Sequence, residues 1–159
     1  MEIDLTRKTL HVESSAFRPD GAIPSRFTAD GADVPPPLAW DRPPADTKSI
    51  AIVVEDPDAP DPRKPQRTFT HWIVTGIPPE VTSIEGPLPT GAAVGRNDFG
   101  DTRWRGPKPP TGKHRYFFKV YALDIELSHA DIDRQHLLSA IGGHVIAQGE
   151  VMGTYAHQA

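Results

Sequence analysis

In the stretch "VVEDPDAPDP" at residues 53–62, an apolar run meets a proline-rich segment, and the first two of its three aspartates, Asp56 and Asp58, flank a proline. Pro57 and Pro60 fix two backbone φ angles and remove two N–H donors, and Pro57 also keeps Asp56 out of the helical region. The carboxylates of Asp56 and Asp58 are therefore held in few orientations. Such a segment serves either as a turn with aspartate caps or as a rigid wall of a polar pocket.

Two further stretches contain side chains that could complete such a pocket. His71 lies in an alternating segment, and His114 and Tyr116 project from the same face of a third segment, "HRYFFKVYAL". The stiff pair Gly106–Pro107 lets backbone approach a small ligand closely. Together these residues could donate hydrogen bonds to an anion.

Several catalytic chemistries have weak or no support. Two histidines with two aspartates could ligate zinc or iron, and paired carboxylates could hydrolyse glycosides, but no HExxH spacing is present. The chain contains no cysteine, no G-x-S-x-G elbow and no G-x-x-x-x-G-K-[ST] phosphate loop. We therefore predict a binding pocket without catalytic residues, metal or cofactor, and a metal-assisted or acid–base hydrolase stays open as the alternative.

The elements that must position these residues are mostly short strands. Apolar or alternating runs predict strands over 48–55, 69–77, 114–123 and 144–155, with the strand at 114–123 central in its sheet because both of its faces are apolar. One helix is predicted within 128–143, with Ser128 or Asp131 as its cap and Gly142–Gly143 as its end. Many strands and one late helix indicate an all-β sandwich or barrel.

Composition limits the classes of function. The 159 residues fit one domain, 1–159, and 18 prolines with 13 glycines favour turns over long helices. The net charge of −4 does not favour general nucleic-acid binding, which requires a basic surface. No apolar run is long enough for a transmembrane segment, and the start "MEIDLTRKTL" lacks a secretory h-region, so we expect a cytoplasmic protein.

Six stretches in order along the chain resemble the phosphatidylethanolamine-binding protein family, in particular its bacterial, Raf-kinase-inhibitor-like branch. They are "FTADGADVPPPLAW", "KSIAIVVEDPDAP", "THWIVTGIP", "GRNDFG", "RGPKPPTGKHRYFFKVYALD" and "GHVIAQGEVMGTY". The resemblance implies an antiparallel β-sandwich with Greek-key-like connections and one or two short helices. It also implies an anion-accepting pocket at one end, lined by Asp56, Pro60, His71, Gly106, Pro107, His114 and Tyr116.

The resemblance further implies ligands such as phosphate, phosphorylethanolamine or acetate, and a possible protein partner such as a kinase or a second copy of the chain. Lys108 replaces the cysteine common in the bacterial branch and adds positive charge near the pocket. For the two aspartates we predict different roles. Asp56 accepts from a histidine and holds it as a donor, whereas Asp58 is structural and pairs with Arg115 or caps loop N–H groups.

Overall fold

The computed structural model of the chain describes residues 8–156. The prediction about a secretory start concerns mainly residues 1–7, which lie outside this range. Residues 8–156 form a single-turn 3₁₀ helix, Ser25–Phe27, one α-helix, α1 (Arg134–Ile141), and nine strands. The strands are β1 (Lys8–Thr9), β2 (Val12–Glu13), β3 (Leu38–Trp40), β4 (Ser49–Ala59), β5 (Arg67–Ile77), β6 (Ser83–Ile84), β7 (Ala93–Val94), β8 (Lys113–Leu123) and β9 (Val145–Ala156).

The strands form two sheets, so the predicted β-sandwich is confirmed. The larger sheet has the order β1-β9-β8-β4-β5-β7 and the smaller the order β2-β3-β6. All pairs are antiparallel except β1 with β9, which are parallel. Strand β8 returns after a long connection to lie beside β4 in the interior of the sheet, a Greek-key-like path that places β8 centrally as predicted.

Both faces of the large sheet are covered near its centre, which explains why β4 begins as a continuous apolar run. One face carries Ile52, Val54 and Phe118 into the main core. The other face packs Ala51 and Val53 against α1 in a second cluster. A strand buried on both faces has no polar side to alternate with.

Two local predictions need correction. Strand β4 does not end near Glu55 but continues through the two aspartates to Ala59, with irregular pairing between Asp56 and Ala59. The proline-rich segment is therefore an irregular strand end rather than a free loop. Helix α1 is capped by Asp133, whose side chain accepts from the His136 N–H, and not by Ser128 or Asp131.

No helix within residues 8–156 is long and apolar enough to cross a membrane.

Candidate functional site

One cavity of about 320 Å³ gathers most of the predicted site residues at one end of the large sheet. The end of β4 and the starts of β5 and β8 meet there, because neighbouring strands run antiparallel. Two loops, at residue 99 and at 108–110, close the remaining sides. The lining residues are Asp56, Ala59, Pro60, Gln66, Arg67, Phe69, His71, Phe99, Lys108, Pro109, Pro110, His114 and Tyr116.

Asp56 and His114 form a buried hydrogen-bonded pair in this cavity. The Asp56 Oδ2 atom lies 2.6 Å from His114 Nδ1, and His114 is 1% exposed. The other ring nitrogen, Nε2, lies 2.8 Å from the carbonyl oxygen of Thr111. The remaining carboxyl oxygen of Asp56 accepts from the Asp58 N–H at 2.7 Å. The prediction that Asp56 bonds to a histidine is therefore confirmed, with His114 as the partner.

The proton count of this pair follows from its partners. A carbonyl oxygen only accepts, so His114 Nε2 must carry a hydrogen and donate it to Thr111. One further proton then lies between Nδ1 and the Asp56 carboxyl, and the pair is neutral in total wherever that proton resides. Burial raises the pKa of Asp56, although the hydrogen bond from His114 counteracts this.

Asp58, two residues along β4, is held in a different way. Its Oδ2 atom accepts from the Arg115 backbone N–H at 2.9 Å and from Arg115 Nε at 3.0 Å, while Oδ1 accepts from Nη2 at 2.9 Å. The hydrogen bonds from Arg115 lower the pKa of Asp58. The predicted pairing with Arg115 is confirmed, and it fixes the end of β4 to the start of β8.

His71 is brought to the cavity by a bulge in β5. Val54 pairs with Trp72 but Glu55 pairs with Thr70, which leaves His71 as an extra residue and breaks the predicted alternation. Its Nδ1 lies 2.6 Å from the carbonyl oxygen of Arg105. Burial lowers the pKa of His71 to about 4, so the ring is neutral at pH 7.

These hydrogen bonds correct the expectation that both histidines donate N–H groups to a ligand. Both nitrogens of His114 have partners within the protein. The Nδ1–H of His71 is donated to Arg105, so only Nε2 remains for the cavity, and in the neutral ring Nε2 is an acceptor.

Tyr116 contributes the hydroxyl group of the cavity. The residue is 1% exposed, and its hydroxyl makes no hydrogen bond within residues 8–156. Burial raises the pKa of this phenol, so it remains protonated. The ring packs edge-on against His71, with centroids 5.3 Å apart. Tyr116 therefore offers a ligand a donor that the fold does not use.

The Gly106–Pro107 pair has a role different from the one predicted. The described lining residues do not include either of them. Gly106 donates its N–H to Asp33 Oδ1, and the Pro107 carbonyl accepts from the Ala29 N–H. A Cβ atom on Gly106 would lie 2.3 Å from the Phe27 carbonyl oxygen. The pair anchors the loop, and the next residues, 108–110, form the wall.

Two aromatic residues, Phe69 and Phe99, also line the cavity, although the sequence patterns did not indicate them. Phe69 and Phe99 pack edge-on with centroids 4.8 Å apart. The loop carrying Phe99 is organised by the buried Asn97, whose Oδ1 accepts from the Phe99 and Asp101 N–H groups and whose amide donates to the Arg103 carbonyl. The signal was available, since an asparagine two residues before an aromatic in "GRNDFG" is typical of an Asx turn.

Positive charge lies at the rim of the cavity rather than inside it. Lys108 is exposed and has no ion pair within residues 8–156. Arg67 bonds to Asp98 at 2.9 Å, and its guanidinium carbon lies 5.0 Å from the Phe69 ring centre. Among the described residues there is no group of three or more His, Cys, Asp or Glu side chains arranged to hold a metal ion.

A larger open groove of about 830 Å³ lies along β1, β8 and β9. It is lined by Lys119, Tyr121, Gln148 and Glu150 together with residues 8–12, and its described lining includes no predicted site residue.

Comparison with known sequences points to one family. The family model for phosphatidylethanolamine-binding protein matches residues 13–156. A UPF0098 protein of Methanothermobacter thermautotrophicus is 41% identical over 153 residues, which cover 92% of this chain and 98% of that protein. A UPF0098 protein of Chlamydia trachomatis is 37% identical over 147 residues, with the same coverage of both chains.

Solved structures agree with the sequence comparison. The putative phosphatidylethanolamine-binding protein homolog CT736 of Chlamydia trachomatis superposes with a TM-score of 0.86 at 37% identity, covering 95% of this chain and 99% of that one. YbcL of E. coli, described as a member of the mammalian PEBP family, gives a TM-score of 0.83 at 31% identity, covering 94% and 99%.

Proposed function

The chain belongs to the phosphatidylethanolamine-binding protein family, and from that premise we propose that it is a non-catalytic binding protein for a small phosphate-like or other anionic head group. The observation that carries the proposal is the cavity beside Asp56. It combines an unused buried hydroxyl, that of Tyr116, with two cationic side chains, Arg67 and Lys108, at its rim. Donors and positive charge are what a phosphate group requires.

The size of the cavity fits a head group rather than a whole lipid. A volume of about 320 Å³ is at the lower end of small-molecule sites. Its walls of proline and aromatic rings are rigid, so little entropy is lost when a ligand binds.

The same geometry favours binding over hydrolysis. Tyr116 is the only hydroxyl-bearing residue among the described lining residues, and its raised pKa makes it a poor nucleophile. Both nitrogens of His114 are already bonded within the fold, so this ring is not free to activate a nucleophile.

The proposal is tested by calorimetric titration of the protein with phosphorylethanolamine and with inorganic phosphate at pH 6.5. We expect saturable binding with one site per chain. The charge-reversing substitution Lys108→Glu, at the rim, should weaken binding about tenfold by removing an attractive charge and adding a repulsive one. Lys64→Glu makes the same change in net charge at an exposed position outside the lining and should have little effect.

Absence of binding at millimolar ligand, or equal losses in the two lysine variants, would contradict the proposed site. Turnover of p-nitrophenyl phosphate or p-nitrophenyl acetate that Tyr116→Phe abolishes would favour the hydrolase instead.

A further inference from the structure

The polar interior of the cavity contains more acceptors than donors. The first acceptor is the Nε2 atom of His71. Because the Arg105 carbonyl can only accept, the hydrogen of the neutral ring is fixed on Nδ1, 2.6 Å away. Nε2 therefore carries a lone pair, and no hydrogen bond within residues 8–156 occupies it.

The Asp56–His114 pair adds acceptors but no free N–H group. The Thr111 carbonyl oxygen accepts the hydrogen bond from His114 Nε2–H, and the proton at Nδ1 is shared with Asp56 Oδ2. The other oxygen of Asp56 accepts from the Asp58 N–H. What this pair offers a ligand is the unused lone pairs of the carboxyl group.

Among the buried side chains that line the cavity in the described chain, Tyr116 has the one unused donor, since the cations remain at the rim. Arg67 is engaged with Asp98, and Lys108 is exposed. An oxyanion without a hydrogen would thus place one oxygen against the Tyr116 hydroxyl and another against the lone pair of His71. The second contact is repulsive unless a proton lies between the two atoms.

We infer that this cavity takes up an anion only together with a proton, and therefore selects protonatable acids such as phosphate monoesters and carboxylic acids over permanently ionised sulfate esters. The inference rests on the proposed function and specifies its ligand class. The proton forms the hydrogen bond between a ligand oxygen and His71 Nε2. Either the ligand or the His71 ring can carry it before binding.

The charged and titratable groups around His71 support this assignment. Burial dominates and lowers the pKa of His71 to about 4. The hydrogen bond to the Arg105 carbonyl and the charge of Asp98 counteract this, whereas the charges of His114 and Arg105 add to it. The groups that face His71 or line its cavity come from every neighbouring element, namely Asp56 on β4, Arg67 on β5, His114 and Tyr116 on β8, and Asp98, Arg105 and Lys108 on the loops.

The size of the preference follows from the cost of supplying the proton. At pH 7 a ring with a pKa of about 4 is protonated in roughly one molecule in a thousand. A phosphate monoester, with its second pKa near 6, is protonated in roughly one molecule in ten. The expected preference for the monoester over a sulfate ester of the same shape is therefore about a hundredfold.

A consequence concerns the two possible sources of a phosphate head group. A free phosphate monoester can carry the required proton, whereas the phosphodiester of an intact phospholipid is permanently ionised. The diester should therefore behave as the sulfate ester does, and this chain should prefer phosphorylethanolamine to glycerophosphorylethanolamine.

The test is calorimetric titration with three ligands, phosphorylethanolamine, ethanolamine O-sulfate and glycerophosphorylethanolamine, in two buffers of different ionisation enthalpy. At pH 7 we expect about a hundredfold tighter binding of the monoester. Between pH 8 and pH 5 the sulfate-ester affinity should rise about tenfold per pH unit with uptake of one proton, while the monoester affinity levels off near pH 6.

The matched variant is His71→Asn. Its side-chain amide can keep the hydrogen bond to the Arg105 carbonyl but removes the Nε2 acceptor. We expect the preference for the monoester to shrink to less than tenfold and the proton uptake to disappear. The exposed His11→Asn serves as the control and should leave both quantities unchanged.

The outcomes separate this inference from the proposed function. If the monoester binds but the sulfate ester binds equally well or better without proton uptake, the inference is wrong and the function stands. If the preference persists in His71→Asn, His71 is not the acceptor and the inference fails as stated. If none of the three ligands binds, both the inference and the proposed function are overturned.

Discussion

Asp56 and Asp58 lie two residues apart on β4, yet they occupy opposite kinds of environment. Asp56 faces a buried imidazole and shares one proton with it. Asp58 faces the guanidinium of Arg115, whose side chain is 50% exposed, and the two groups form an ion pair at any ordinary pH. Burial raises the pKa of Asp56, whereas the hydrogen bonds from Arg115 lower that of Asp58.

The difference shows that partner and burial, rather than residue type, set what a carboxylate does. A carboxyl group beside an imidazole forms a pair that can rearrange its proton when a ligand arrives. A carboxyl group in a two-point contact with arginine is a structural link. We refer to these as the proton-sharing pair, Asp56–His114, and the ionic pair, Asp58–Arg115.

The largest effect is expected from removing the ring of the proton-sharing pair. His114→Phe keeps a planar ring but leaves the Asp56 carboxyl buried without its partner, so the free energy of unfolding in urea should fall by about 3–5 kcal/mol. The double variant Asp56→Leu/His114→Phe removes the stranded group and should recover part of this loss. Equal losses in the single and double variants would show that the pair itself is not what matters.

The next largest effect is a pH dependence of the free energy of unfolding that arises from His71 in the cavity. His71 has a folded pKa of about 4 against its usual 6.5, so the unfolded chain binds the extra proton between these values. Stability should therefore fall by about 3 kcal/mol as the pH drops through this window.

Urea unfolding of the wild type and of His71→Asn at pH 7 and pH 4 measures this contribution. The wild type should lose more stability than the variant. The same loss in both proteins would mean that His71 is not buried as a neutral ring.

A smaller effect is expected for the ionic pair. Asp58→Ala removes three hydrogen bonds to Arg115, but the guanidinium is half exposed and water replaces part of them, so the loss should be about 1–3 kcal/mol. Because the pKa of Asp58 is lowered, its contribution is present above the unfolded value and disappears as the pH falls through the lowered one.

Asp61→Ala is the matched control for the ionic pair. It breaks the solvent-exposed contact of Asp61 with Arg63 on the same segment and should leave thermal unfolding unchanged. If Asp58→Ala changes thermal unfolding as little as Asp61→Ala does, the prediction that Asp58 is structural is wrong.

The smallest effect on stability belongs to Tyr116→Phe. Because the hydroxyl has no hydrogen bond within the described fold, its removal should change the free energy of unfolding by less than about 0.5 kcal/mol. Binding of phosphorylethanolamine should weaken by about two- to tenfold. A large loss of stability with unchanged affinity would show that the hydroxyl serves the fold and not the ligand.

Hydrophobic periodicity is a local property, so it predicted the main strands and an all-β sandwich or barrel, and the family resemblance implied the sandwich. The sequence also predicted that Asp58 pairs with Arg115 or caps loop N–H groups, and that Asp56 accepts from a histidine. It did not predict the bulge at His71, since a single extra residue in a strand leaves no compositional trace.

The protonation states of His71 and His114 could not be predicted from the sequence for a different reason. It is fixed by the carbonyl oxygens of Arg105 and Thr111, and every residue has such a group, so only the fold shows which ones meet the two rings. For the same reason Gly106 and Pro107 were predicted to line the cavity, whereas backbone hydrogen bonds place them in the anchor of the loop that precedes residues 108–110.

The proposed selectivity depends on a neutral His71 whose Nε2 accepts a proton-bearing anion. Nitrogen-15 NMR of the histidine rings at pH 7, recorded during addition of phosphorylethanolamine, reports the tautomer and the contact of this ring. We predict an Nδ1–H tautomer for free His71 and a saturable shift of its Nε2 resonance. An imidazolium in the free protein, or ligand-induced shifts confined to exposed rings such as His11 and His129, would contradict the account.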